Sequence, residues 1–192
     1  MIPEYIIFFA ISLNLLGHIL YIKSILGGHT KPNLASWIPW VLAPFIGVFF
    51  QLKAGAGLSV LPIFMAGFGS LIILIAAIVT KNALWKITAF DIYCGVLSIF
   101  ALIFYILTHN LAISIIFAIL SDALAFIPTY KKAWQFPESE SVAAYSWTVL
   151  SNIVGLLIIK KHSFTIYSFG VYFIIANILM VFILYRKKIF KS

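Results

Sequence analysis

Apolar residues along this chain come in seven long runs separated by short polar breaks. The runs cover about residues 3–25, 34–52, 60–80, 89–108, 111–134, 142–159 and 164–185. The first break, Gly27-Gly28-His29-Thr30-Lys31-Pro32-Asn33, reads as a loop by its Gly, Pro and Asn content. The others are 53–59, with Gly55 and Gly57, then 81–88, His109-Asn110, 135–141 and 160–163. Runs near twenty residues match a helix that crosses the hydrocarbon core of a bilayer. They lack the apolar–polar alternation of barrel strands. The pattern predicts an all-α integral membrane protein of seven transmembrane helices.

Composition agrees. Of the 192 residues 64% are hydrophobic and 9% charged, whereas soluble domains sit near roughly 45–50% and 25%. Seven spans use about 140 residues, which leaves room for loops and tails but not for an extramembrane domain. No basic segment precedes the first run, where Glu4 stands, so the first helix is expected to be retained rather than cleaved. The single cysteine, Cys94, lies in an apolar run and supports neither a disulfide nor a metal cluster.

The net charge of +8 does not point to nucleic acid, because the basic residues flank helix ends and line no helix face. Sorted by side, they report topology. The N-terminus and the breaks after the second, fourth and sixth runs hold only Lys53, Lys160 and Lys161. The opposite side holds Lys23, Lys31, Lys81, Lys86, Lys131, Lys132, Arg186, Lys187, Lys188 and Lys191. Positive residues concentrate on the cytoplasmic face. The N-terminus is expected outside and the C-terminus in the cytoplasm, in a plasma membrane.

The two ends of the chain echo each other. Tyr21-Ile22-Lys23 precedes a polar break and Ser36-Trp37, and Tyr130-Lys131-Lys132 precedes a polar break and Ser146-Trp147. The first and last three runs then match as triplets, with the fourth as linker. The expected organisation is two parallel three-helix repeats, 1–80 and 110–192 with its tail, joined by a linker helix at 81–109. Parallel repeats about an axis along the membrane normal occur in transporters. This 3+1+3 layout resembles the SWEET and PQ-loop superfamily over nearly the whole chain, with the KDEL receptor a more distant relative by fold. Ile127-Pro128-Thr129-Tyr130-Lys131 resembles the PQ-loop motif, with Thr129 where that motif has Gln, and the first triplet has Ile19-Leu20 at the equivalent pair.

Polar groups within spans are costly in lipid, so each calls for a reason. Asp122 stands in the middle of the fifth run and is the leading candidate for substrate binding or proton coupling. Asn14 and His18, at i and i+4, share a helix face, and the imidazole suits proton transfer or a pairing with Asp122. Asn152, one turn beyond Thr148, is a further candidate. The resemblance implies that Asn177, central in the last run, contacts substrate, with Ser70 and Gly69 the nearest candidates for a counterpart. It also implies substrate stacking on tryptophans of the second and sixth helices, here Trp40 and Trp147. Trp37 reads rather as part of the interfacial aromatic belt. Pro39, Pro44 and Pro128 match hinge positions by the same resemblance, and proline permits a kink.

No HExxH, GxSxG, Walker loop or paired-aspartate motif is present. The expectation is a non-enzymatic transporter of a small polar solute, sugar or amino-acid-like, that needs no cofactor or metal. Its partners would be the solute and the lipid bilayer. A homo-oligomer is as compatible as a monomer. The alternatives are a membrane receptor like the KDEL receptor and a subunit that transports nothing.

Overall fold

The computed structural model describes residues 3–80, 85–107 and 110–189. Lys81, His109 and Lys191, and the side chains of Lys187 and Lys188, lie outside the described part. Seven α-helices are described: α1 (Ile6–Leu26), α2 (Leu34–Lys53), α3 (Leu61–Val79), α4 (Ala89–Leu107), α5 (Leu111–Gln135), α6 (Val142–Leu157) and α7 (Phe164–Ile189). One 3-10 turn, Leu58–Val60, leads into α3, and another, Pro137–Ser139, precedes α6.

Several helix boundaries have local causes. The Asn33 side chain accepts from the Ala35 amide at the start of α2. Asn110 accepts from Ala112 and Ile113 at the start of α5. Each satisfies donors that a helix start leaves unpaired. Before α4, Thr88 and Asp91 bond reciprocally, with the Thr88 amide donating to Asp91 Oδ2 at 2.7 Å and the Asp91 amide to Thr88 Oγ1 at 3.3 Å, a capping box. α7 does not stop near Tyr185 but continues through the basic residues to Ile189. Cations are favourable in a helix's last turn, and Arg186 is anchored besides. Its guanidinium donates to the carbonyls of Ala133 and Trp134 at the end of α5 and lies over the Trp134 ring.

Five segments are long and apolar enough to cross a membrane: α1, α2, Leu58–Val79, α5 and Phe164–Arg186. The apolar stretch Ala89–Phe100 of α4, and α6, are shorter. The sixteen residues of α6 extend about 24 Å. Side chains are distributed inside out relative to a water-soluble fold. Phe9, Ile78, Val79, Tyr93 and Ile175 are more than half exposed, while Asn14, Ser36, Ser114, Asp122, Thr129 and Ser151 are fully buried. Apolar surface outward and polar groups inward is the arrangement lipid demands. The chain is a helical membrane protein.

Packing follows a regular plan. α3 packs on both α1 and α2, and α7 packs on both α5 and α6. Between these groups α1 packs on α6, and α2 packs on α5. α4 packs on α5 and more lightly on α2. Small residues permit the closest approaches. A Cβ on Gly17 of α1 would stand 2.8 Å from Trp147 Cδ1 and 3.0 Å from the Ala143 carbonyl oxygen of α6, and one on Gly69 of α3 would collide with the His18 ring.

The two ends of the bundle differ. At one, the loops before α2 and α6 interlock, the Lys31 amide donating to the Ser139 carbonyl at 3.2 Å and the Trp85 amide to Pro32 at 3.1 Å. At the other, Glu4 pairs with Lys160, and Lys161 donates to the Ala54 carbonyl at 2.9 Å.

Gly17→Ala is expected to destabilise the protein by about 1–3 kcal/mol, the usual cost of overpacking, because backbone as well as side chain stands in the way. A lowered thermal midpoint of the purified protein in detergent checks this.

Candidate functional site

Apolar burial falls mainly into two clusters. One gathers Tyr21, Trp37, Trp40, Phe126, Tyr145 and Met180. The other gathers Ala43, Ile63, Ala66, Ile115, Phe169 and Phe173. Where they meet, a small cavity opens among the helices. α1 contributes His18, α2 Trp37, Trp40 and Pro44, and α3 Ala66 and Ser70. α5 contributes Asp122 and Phe126, α6 Ala144, Tyr145 and Thr148, and α7 Phe173 and Asn177. Among the described residues, six helices line the space and α4 adds nothing. The room left between side chains holds only a few water molecules, so a larger solute needs the helices to part.

The polar lining is held in place by hydrogen bonds. Asp122 is fully buried. Its Oδ2 accepts from the Tyr172 hydroxyl at 2.8 Å, and its Oδ1 has no hydrogen-bond partner. The Trp40 indole N–H donates to the Asp122 backbone carbonyl at 3.3 Å, which ties α2 to α5 at this residue. His18 Nδ1 donates to the Asn14 carbonyl at 2.9 Å. A carbonyl can only accept, so Nδ1 carries a proton and the neutral ring has Nε2 as an acceptor. The Asn177 amide donates to the Phe173 carbonyl at 2.8 Å, and the Thr148 hydroxyl to the Ala144 carbonyl at 2.8 Å.

His18, Trp40, Asp122 and Asn177, named from sequence, are therefore together in one cavity, and Pro44 borders it. Three others are elsewhere. Asn14 joins α1 to α6 through bonds to Thr148 and Ser151 at 3.2 and 3.0 Å. Asn152 donates to the Thr148 carbonyl within its own helix at 2.9 Å. Trp147, half-buried, packs over Gly17 and does not face the cavity. Both asparagines commit their amide nitrogens to these bonds and neither borders the cavity, and the buried Asn14 Oδ1 is left without a partner. No bond joins His18 to Asp122; each has another partner. Pro39 and Pro128 are buried within α2 and α5, which run through them as continuous helices.

Two features escape the sequence pattern. Trp37, expected in an interfacial belt, is 3% exposed and packs edge-on against both Tyr21 and Trp40, at centroid distances of 5.2 and 5.1 Å. The second is Glu140, in the most polar break of the chain. Its side chain is fully buried and pairs with Lys132 Nζ at 2.5 Å, itself 1% exposed. Glu140 Oε2 accepts from the hydroxyls of Tyr21 and Tyr145, at 2.7 and 2.8 Å. Lys132 also donates to the Lys31 carbonyl at 2.5 Å and lies over the Trp85 ring at 5.2 Å. This clasp ties α1, α5, α6 and the loop before α2 at one end of the cavity, where Tyr145 belongs to both. The Tyr-x-Lys echo marked Tyr21 and Lys132, but nothing local marks a loop carboxylate as buried.

Among the described residues no three His, Cys, Asp or Glu side chains converge as a metal ion would require. No protein-family model matches the chain, and no curated protein or solved structure matches it either.

Removing one partner of a buried ion pair strands the other's charge, at a cost of about 3–5 kcal/mol. Lys132→Met alone is expected to destabilise by that order. Lys132→Met with Glu140→Gln is expected to recover most of the loss. Thermal unfolding of the two single variants and the double variant measures the coupling.

Proposed function

We propose that this protein is a transporter that moves a small polar solute across the membrane by alternating access. The observation that carries the reading is the central cavity, polar at Asp122, His18, Ser70 and Asn177, to which six helices contribute and α4 does not. The helices around it follow a plan that survives exchange of α1 with α5, α2 with α6 and α3 with α7. Ala66 and Ser70 lie one turn apart on α3, as Phe173 and Asn177 do on α7, and all four border the cavity. These facts support two parallel three-helix repeats joined by a linker helix, with α4 and the short α6 crossing the bilayer like the rest. The solute would sit on the pseudo-two-fold axis, where rocking of one repeat against the other exposes it to each side in turn.

The reading sets the N-terminus outside and the C-terminus in the cytoplasm of a plasma membrane, on the positive-inside distribution of Lys and Arg. The clasp of Glu140, Lys132, Tyr21 and Tyr145 then acts as the cytoplasmic latch. A coupled proton would ride on Asp122 or His18. Among the described residues no Lys or Arg lines the cavity, which weighs against a receptor that captures a peptide carboxylate.

Alternating access can be tested before any solute is known. In a Cys94→Ser background, Ser70→Cys is expected to react with a membrane-impermeant maleimide in both right-side-out and inside-out vesicles. Labelling from one face alone favours a receptor. Labelling from neither favours a non-transporting subunit, and either result overturns the proposal.

A further inference from the structure

The hydrogen bonds around the cavity leave an uneven set of free groups. His18 has its Nδ1–H on a backbone carbonyl, which leaves Nε2. Asn177 donates one amide N–H to another, which leaves its second N–H and its carbonyl oxygen. The hydroxyls of Thr148 and Tyr145 donate to Ala144 and Glu140, and the Trp40 N–H donates to the Asp122 backbone. Asp122 keeps one carboxyl oxygen, fully buried, with no donor at all. The donors still free on the lining are the second amide N–H of Asn177, the Trp37 indole N–H, which has no partner, and the Ser70 hydroxyl. Against them stand three acceptors, Asp122 Oδ1, His18 Nε2 and the Asn177 carbonyl oxygen, of which Asp122 alone can carry negative charge.

Charge points the same way. Among the described residues Asp122 is the lining's one acidic residue, and no Lys or Arg lines the space to balance it. Phe126 lies one turn from Asp122 on α5, its ring 4.4 Å from that of Trp40. Trp37 stands edge-on to Trp40 beyond. Asp122 thus lines the same cavity as a set of inclined aromatic rings, whose quadrupoles attract a cation. A buried carboxylate oxygen without a donor is costly, and an ammonium N–H fills it.

We propose that the solute is a small organic cation, a primary ammonium whose nitrogen donates to Asp122 Oδ1 and lies against the faces of Trp40 and Phe126. Its remaining N–H groups reach the acceptors of His18 and Asn177. Trp37 and Ser70 accommodate a neutral polar tail. A solute carboxylate finds no cation there and meets Asp122 with like charge. A neutral sugar brings no charge to Asp122, which must then hold a proton of its own. The ammonium occupies the place on Asp122 that a proton would take. This inference rests on the transporter reading for its site and deepens it by naming the solute class.

The experiment titrates the purified full-length protein with ethylammonium, ethanol, glycine, acetate and glucose, and follows tryptophan fluorescence and the thermal midpoint. Ethylammonium is expected to bind saturably and to raise the midpoint, and the neutral, zwitterionic and anionic probes are not. Asp122→Asn is expected to weaken ethylammonium binding about tenfold or more, as loss of a hydrogen bond to a charged group does. Trp40→Leu weakens it and Trp40→Phe largely preserves it. Should Asp122→Asn not fold, protection of Ser70→Cys from maleimide by ethylammonium, and not by ethanol or glucose, carries the same information. Equal binding of glucose or glycine, ethylammonium binding that ignores Asp122→Asn, or no response to any probe overturns the solute class. Two-sided labelling of Ser70→Cys without cation selectivity would leave transport standing and remove only the class. Cation binding with one-sided labelling would do the reverse.

Discussion

The pairing of Glu140 with Lys132 constrains more of this molecule than any other single contact. Two charges withdrawn from water are each costly, and their attraction repays the cost only when the remaining hydrogen-bonding capacity is also met. Here it is met by two tyrosine hydroxyls and a backbone carbonyl. That requirement brings together parts of the chain more than a hundred residues apart. It folds the loop before α6 inward, draws the loop before α2 against it, and fixes the rings of Tyr21 and Tyr145. Tyr21 then braces Trp37, Trp37 braces Trp40, and Trp40 braces Phe126. A chain of edge-on and tilted rings thus runs from the ion pair to the wall beside Asp122. Each such contact contributes about 0.5–1.5 kcal/mol beyond the area it buries, and together they transmit position from the loop to the cavity.

The helices were largely legible in the sequence because lipid leaves the backbone few choices. An apolar run of span length must be helical, and Asn33 and Asn110, read as the ends of polar breaks, cap the helices that follow. The exception is the C-terminal end of α7, extended because Arg186 finds the last carbonyls of α5. Side-chain destinations were less legible. Asn14 and Asn177 look alike in sequence, both polar residues within spans. One bonds across to α6, and the other turns its amide onto its own helix and keeps an oxygen at the cavity. Which occurs depends on what the facing helix offers, and one chain's periodicity does not contain that. Trp37 illustrates the same limit. Its place near a helix start suits an interfacial ring, yet the inward loop buries that start. Glu140 has the composition of a solvated loop residue and becomes buried only because Lys132, eight positions earlier in the chain, is buried with it.

α4 stands outside the exchange plan that relates the other six helices. It lies against α5 and α2 and leaves the contact between α1 and α6 uncovered on its outer side. The two seams between the triplets are similar within and different without. Separating α2 from α5 drags a third helix along. Separating α1 from α6 moves no third helix of the same kind, but it breaks the Asn14 bonds to Thr148 and Ser151 and the close packing of Gly17 on Trp147. The two seams are thereby built differently: one is backed by a third helix, and the other is held by direct hydrogen bonds and close packing between its two helices.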